Sequence, residues 1–99
     1  ASISFMEDNL ENPVSPLELA RSVGLSSRQL ERLFRKHMGC TPARYYLELR
    51  LKRARALLRQ TSLSVLDVAV ACGFASASHF SKRYRDLFGQ SPRSDRNAA

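Results

Sequence analysis

Arg28, Glu31 and Arg32 lie at spacings of three and four along the chain, and Ser78, Ser81 and Lys82 repeat that spacing fifty residues later. A helix turns about 100° per residue, so each trio falls on one side of a helix. Such a face is suited to recognition by hydrogen bonding rather than to bond making. A guanidinium can fork onto O6 and N7 of guanine, a carboxylate can accept from N4 of cytosine, and hydroxyl, imidazole and ammonium groups can reach other base edges. The residues expected to touch bases are Arg28, Glu31 and Arg32 in the first set, and Ala77, Ser78, His79, Ser81 and Lys82 in the second. Ala77 would offer only a methyl contact to thymine. Ser27, Arg35, Lys36, Ser76, Arg83 and Arg85 are expected to hold phosphates, contacts that position a protein without reading sequence.

Each of these residues also has a plainer role open to it. Arg28 and Arg32 can simply solvate an exposed face. Glu31 can pair with Arg28, Arg32 or Arg35 on its own helix, an interaction of about 0.2–0.5 kcal/mol. His79 is open to base contact or to bare exposure. His37 falls on an apolar arc and reads as a packed or edge residue. A polar stripe formed by Arg44, Glu48, Lys52, Arg55 and Arg59 reads as a solvated face rather than a nucleic-acid contact.

Amphipathic helices must carry these faces. Leu30, Leu33, Phe34 and His37 share an arc of about 100°, opposite Arg28, Arg32 and Arg35. Phe80, Tyr84 and Leu87 form the matching arc, opposite Ser78, Lys82 and Arg85. The repeat extends beyond these helices. Leu19-Ala20, Val23-Gly24-Leu25 and Gly39-x-Thr41-Pro42 recur as Val68-Ala69, Cys72-Gly73-Phe74 and Gly89-x-Ser91-Pro92. The offset is 49 as far as the first glycine and 50 from Leu30/Phe80 onward, which puts one extra residue in the second turn. A small residue, a glycine turn and a second amphipathic stretch describe a helix-turn-helix, present here twice.

The remaining elements follow from capping signals. Residues 2–11 read as an opening helix with Ile3, Met6 and Leu10 on one side, ended by Asn12-Pro13. Ser15-Pro16-Leu17-Glu18 starts a second helix, which runs to Val23. Ser26 and Gln29 form a capping box for the third, which stops at Gly39. Thr41-Pro42 opens the longest helix, residues 42–60, with Leu47, Leu51, Ala54 and Leu58 as its apolar stripe. Ser64 caps a helix over 64–72, and a further helix covers 77–88. The expected architecture is all-α with about seven helices: a first unit over 2–39, a linker helix over 42–60 and a second unit over 64–94, within one domain spanning 1–99. Ser91-Pro92 can begin a last turn, and residues 95–99 are expected to fray.

Composition narrows the partners. The formal charge is +7, yet residues 1–20 hold Glu7, Asp8, Glu11 and Glu18 and no Lys or Arg. Residues 21–99 therefore carry 16 basic against 5 acidic residues, a balance of +11 that favours a polyanion. No run of 18 apolar residues spans a membrane, and no signal segment opens the chain. The first residue is Ala1 rather than Met, so an excised part of a longer protein is expected. Cys40 and Cys72 are isolated, and with two histidines they supply no metal site at any usual spacing. Neither a disulfide nor a cofactor is expected. Cys72 reads as a small core residue.

These residues resemble the C-terminal DNA-binding domain of the AraC/XylS family of bacterial transcription regulators. The similarity covers about residues 2–94 and is most specific in Val65-x-Asp67-Val68-Ala69-x-x-Cys72-Gly73-Phe74-x-Ser76-x-Ser78-His79-Phe80-Ser81-Lys82-x-Tyr84-Arg85-x-x-Phe88-Gly89-x-Ser91-Pro92. Leu51-x-x-Ala54-x-x-Leu57-Leu58 is similar to the family's linker helix. The resemblance implies two reading helices held by a rigid linker helix and entering successive major grooves, about 34 Å apart on one side of the duplex. It also implies a monomeric cytoplasmic DNA-binding domain whose effector or dimerisation domain lies outside these 99 residues. The base-contacting positions it implies are the same eight named above. One departure stands out: where the family places an aromatic residue before an arginine, this chain has Asp95 before Arg96.

Two other functions compete with DNA reading. A protein-interaction module would dock on RNA polymerase or a partner regulator through the basic helices. An enzyme would need nucleophile, metal or phosphate-loop motifs, and neither G-x-S-x-G nor a glycine-rich phosphate loop is present. Operator sequence, effector and the choice between activation and repression are not written in these residues.

Overall fold

The computed structural model describes residues 2–98, and side chains through Asn97. Ala1 and Ala99, the two ends of the expected domain, lie outside the described residues. Among the described residues seven helices are formed: α1 (Ser2–Glu7), α2 (Pro16–Ser22), α3 (Ser27–Met38), α4 (Pro42–Gln60), α5 (Val65–Ala71), α6 (Ala77–Phe88) and α7 (Pro92–Ala98). The chain divides into two compact units, Ala1–Leu49 and Arg50–Ala99. Residues 42–49 of α4 belong to the first unit and residues 50–60 to the second.

In the first unit, local chemistry starts and stops each helix. Ser15 Oγ accepts from the Glu18 amide at 3.2 Å and caps α2. At its end the Leu25 amide donates to Ala20 O at 2.9 Å and the Gly24 amide to Arg21 O at 3.1 Å, with Gly24 at φ 72°. Only glycine takes that left-handed conformation without steric cost. Both arms of the second capping box form: the Gln29 amide donates to Ser26 Oγ at 3.2 Å, and the Ser26 amide to Gln29 Oε1 at 2.9 Å. Met6, Leu19, Ala20, Leu30, Phe34 and Tyr46 make the core, with Ile3 and Leu10 packed against it. The Tyr46 hydroxyl donates to Asn9 O and accepts from the Val14 amide, tying the α1–α2 connection to α4.

Helix α1 is shorter than the expected 2–11. Asn9 ends it early: its amide donates to Met6 O at 3.0 Å and its side-chain Nδ2 to Phe5 O at 2.8 Å. An asparagine that satisfies the last carbonyls itself competes with continuation of the helix.

The second unit repeats the same turn bond for bond. The Phe74 amide donates to Ala69 O at 2.9 Å and the Gly73 amide to Val70 O at 3.1 Å, the counterparts of Leu25 and Gly24. Ser64 caps α5 and Ser76 caps α6 through the amides of Asp67 and His79. Leu51, Ala54 and Leu58 from α4 are buried, as are Val68, Ala69, Cys72, Phe74, Phe80 and Tyr84; Leu47, in the first unit, is only half-buried. Phe74, Phe80, Tyr84 and Phe88 run as a chain of ring contacts with centroids 5.0, 5.7 and 4.6 Å apart. Each such ring removed from water contributes roughly 1.5–3 kcal/mol.

Two expectations fail at the C-terminal end. Residues 92–98 form a helix rather than a frayed tail, and Asp95 is fully buried at its centre. The polar stripe of α4 is not all solvated either. Arg59 donates from a terminal guanidinium nitrogen to Asp95 Oδ1 at 2.7 Å, and Arg55 Nε sits 3.2 Å from Oδ2 without the alignment of a hydrogen bond. The Tyr84 hydroxyl donates to Oδ2. Arg96 then reaches the open carbonyls at the end of α4, with Nε on Leu58 O at 3.0 Å. Polar bonds thus do the anchoring for which an aromatic residue would use packing. Arg44 and Glu48 pair with each other at 3.0 Å on the exposed part of the stripe.

Candidate nucleic-acid interface

Helix α3 presents its cations without internal partners. Arg28, Glu31, Arg32, Arg35 and Lys36 are all exposed, and among the described residues none is held by a side-chain hydrogen bond or ion pair. Glu31 therefore does not form the pairing with neighbouring arginines that was its plainer role. Opposite this face, Leu30 and Phe34 are buried and fix the helix to the core. Ser27 is half-buried in the first turn. Leu33 departs from the expected packed arc, at 44% exposed, while His37 takes the edge position, exposed at an apolar cleft that also includes Leu33 and Met38. The arc is narrower than the sequence suggested: of its members, Leu30 and Phe34 are the ones buried in the core.

Helix α6 offers a milder face. Ala77, Ser78, His79, Lys82 and Arg85 are exposed, and Ser81 and Arg83 are half-buried. Phe80 and Tyr84, both fully buried, hold the opposite side. Several of its polar groups are already engaged. Ser76 Oγ accepts from the His79 amide at 3.1 Å, Arg83 Nε donates to His79 Nε2 at 3.4 Å, and Lys82 lies 3.9 Å from Asp86. The His79 ring also leans on Phe74, with centroids 5.9 Å apart. Ser76 keeps its hydroxyl proton for an outside acceptor even while capping α6.

The groups that position α6 were not singled out from the sequence. Arg50 donates from Nε to Cys72 O at 2.9 Å and from a terminal nitrogen to Gly73 O at 2.8 Å, and its guanidinium lies 4.1 Å over the Phe74 ring. One side chain of α4 thus holds both carbonyls of the second turn. Burial pushes the neighbouring Cys72 thiol up, against the pull of Arg53 and Arg50, so it stays protonated in the core. Cys40 and Cys72 are both free thiols. Burial favours the neutral form of Asp95, but the Tyr84 hydroxyl, Arg59 and Arg55 outweigh it and hold the carboxyl below its usual range. Tyr84, buried against that carboxylate, is pushed well above the ordinary phenol range.

Among the described residues, no group of three or more His, Cys, Asp or Glu is placed to hold a metal ion. No described helix is long and apolar enough to cross a membrane. The two exposed faces consist mainly of hydrogen-bonding groups and cations on capped helices.

Comparison with known proteins agrees. The helix-turn-helix domain family matches residues 19–98. A transcriptional regulator of Pseudomonas aeruginosa, GbdR, is 57% identical over 94 residues, covering 95% of this chain and 26% of that protein. The chain spans about a quarter of the length of the curated relatives it matches. A transcriptional regulator with an AraC-type DNA-binding domain from Chromobacterium violaceum superposes with a TM-score of 0.94 at 52% identity, over 97% of this chain and 86% of that one. The DNA-binding domain of AdpA, solved in complex with a target DNA, superposes with a TM-score of 0.93 at 29% identity, over 98% of this chain and 87% of that one. On its repeated turns, its all-helical fold and these likenesses together, the chain belongs to the AraC-type helix-turn-helix family of transcriptional regulators.

Proposed function

We propose that this chain is the DNA-reading part of a bacterial transcription regulator, with α3 and α6 each entering a major groove of one duplex. The observation that carries this reading is the repeat of the outward face. Positions 28, 31, 32 and 35 recur as 78, 81, 82 and 85, and all are at least partly exposed on helices whose other sides are buried. A groove about 12 Å wide admits one helix, and side chains on its outer face then meet base edges. That the related DNA-binding domain of AdpA is solved in complex with a target DNA supports duplex DNA as the partner. Arg28, Glu31, Arg32, Ala77, Ser78, His79, Ser81 and Lys82 take the base-reading roles. Ser27, Arg35, Lys36, Ser76, Arg83 and Arg85 take the phosphate roles.

On this reading the chain is not an enzyme, works in the cytoplasm, binds DNA as a monomeric domain and receives its effector signal from a part of the protein outside these residues. A second role, contact with RNA polymerase or a partner regulator, is favoured by one observation: Leu66 and Val70 are 57% and 55% exposed on α5, a helix that carries none of the base-reading residues named above.

Selection of preferred duplexes from a random library, followed by footprinting, tests the main reading. Two protected patches about one helical turn apart are expected. Arg32→Ala should relax base preference at one position in the selected site. A uniform loss of affinity across all sequences would make Arg32 a phosphate ligand instead. Tight binding to a protein partner with no preference among DNA sequences would replace DNA reading by the protein-docking role.

A further inference from the structure

We infer that Asp95 is a positioning residue for DNA reading: through the Tyr84 hydroxyl it fixes the rotation of α6 about its own axis. This rests on the reading of α6 given above and adds to it a residue that never touches DNA. The carboxylate joins three elements of the second unit. Oδ2 accepts from Tyr84 on α6, Oδ1 accepts from Arg59 on α4 at 2.7 Å, and the backbone of Asp95 belongs to α7. Asp95 and Tyr84 are both fully buried, so water does not compete for the bond between them, while the Arg59 side chain stays partly exposed.

The buried side of α6 is otherwise aromatic. Phe80, Tyr84 and Phe88 touch one another with centroids 5.7 and 4.6 Å apart. Ring packing restrains the helix through shape and ring geometry spread over many atoms, but it ties no single atom to a fixed point. A hydrogen bond to one oxygen atom is directional. The size of the effect matters for reading. With side chains about 5–6 Å from the helix axis, a roll of about 10° carries a tip about 1 Å around it. A good hydrogen bond tolerates only about 0.5 Å of spread in its length. Ser78 and Lys82 project away from Tyr84 and Ser81 lies on its flank, half-buried, so a roll released at Tyr84 moves all three off their base edges together.

A buried carboxylate is costly to keep, and apolar replacements of buried ion pairs are often as stable or more so. An aromatic residue at this position would anchor α7 by packing alone. The directional tie to Tyr84 is what the carboxylate adds.

The test compares the unmodified chain with Tyr84→Phe, which removes one hydroxyl and leaves the ring, and with Asp95→Asn, which keeps the shape and removes the charge. Base preference is profiled across both protected patches of the selected site, at a temperature where circular dichroism shows each variant folded. In both variants the penalty for a mismatched base pair in the patch read by α6, ordinarily about 10-fold or more, should fall to about threefold, while the patch read by α3 keeps its full penalty. The double variant should be no worse than Asp95→Asn alone. If Asp95→Asn does not fold, Tyr84→Phe decides by itself. Melting temperatures that fall while the profile of the α6 patch stays unchanged would make Asp95 an anchor of α7 only and overturn the inference. An unmodified chain with no base preference in a second patch would overturn the reading of α6 and this inference with it.

Discussion

Arg50 ends in a planar fork that reaches two carbonyls at once while its face covers Phe74. Those carbonyls, of Cys72 and Gly73, are open because α5 stops there. Loss of the fork should cost about 1.5–3 kcal/mol of unfolding free energy, the range for hydrogen bonds to a charged group. Arg50→Lys should recover less than half of what Arg50→Ala loses, since an ammonium is a point donor and cannot span both oxygens or stack as a plane. Urea unfolding of the three chains checks this, and equal stability of the Lys variant and the unmodified chain would contradict it. Asp95 leads to a pH prediction. Its carboxyl is held below the usual range in the folded chain, so its contribution is fully present above the unfolded value near pH 4 and is lost as pH falls through the folded value. Asp95→Asn should lower stability at neutral pH by about 2–3 kcal/mol, less than for a fully buried pair because water reaches the two arginines. It should also flatten the acid limb below about pH 4, and melting curves between pH 2 and 7 would show it.

At the scale of elements, the glycine turns and serine caps are separable terms. Gly89 sits at φ 79° with no atom within 4 Å of where a Cβ would stand, so Gly89→Ala meets backbone strain and no clash. The expected cost is about 1–2 kcal/mol. Ser26→Ala removes one arm of the α3 capping box and should cost about 1 kcal/mol. Both are read as shifts of the melting temperature. A Gly89→Ala variant as stable as the parent would mean that the end of α6 unwinds into another turn at no cost. These terms also explain which elements the sequence reveals. Five helices start at or within one residue of their expected positions, because Ser15, Ser26, Thr41, Ser64 and Ser76 cap through bonds to amides only three residues away. Helix α7 has its own local cap, with the Ser94 amide donating to Ser91 Oγ, but its anchor is distant. Asp95 meets Arg59 across 36 positions, and a lone aspartate among arginines looks like surface. For the same reason Arg55 and Arg59 read as solvated. The exposed faces of α3 and α6 are legible because periodicity assigns them. The ties around α6 through Arg50 and Asp95 are not, since neither residue announces a partner so far away in sequence.

For the whole chain, charge sets how binding responds to salt. The acidic residues 1–20 and the strongly basic remainder leave the positive charge concentrated on the parts that carry α3 and α6. Each phosphate neutralised releases counterions and contributes about −0.9 to the slope of log affinity against log salt. With Arg35, Lys36, Arg83 and Arg85 as the charged phosphate ligands, the slope should be about −3.6, and affinity should fall about 150-fold between 50 and 200 mM salt. Replacing Arg35 and Lys36 together by alanine should reduce the slope by about 1.8 and weaken all sequences alike. Arg32→Ala should behave oppositely, leaving the slope near its original value while erasing preference at one base pair, because a fork on guanine displaces no condensed ion. Fluorescence anisotropy titrations at four salt concentrations, on the selected site and on a scrambled duplex, separate the two behaviours. A slope that falls by about 0.9 in Arg32→Ala, with preference intact, would move Arg32 from the bases to the backbone. Neutralising Glu7, Glu11 and Glu18 together as glutamines is the remaining control. These acids act at a distance if at all, so any gain in affinity should appear at low salt and vanish near 0.15 M, where the screening length is about 8 Å.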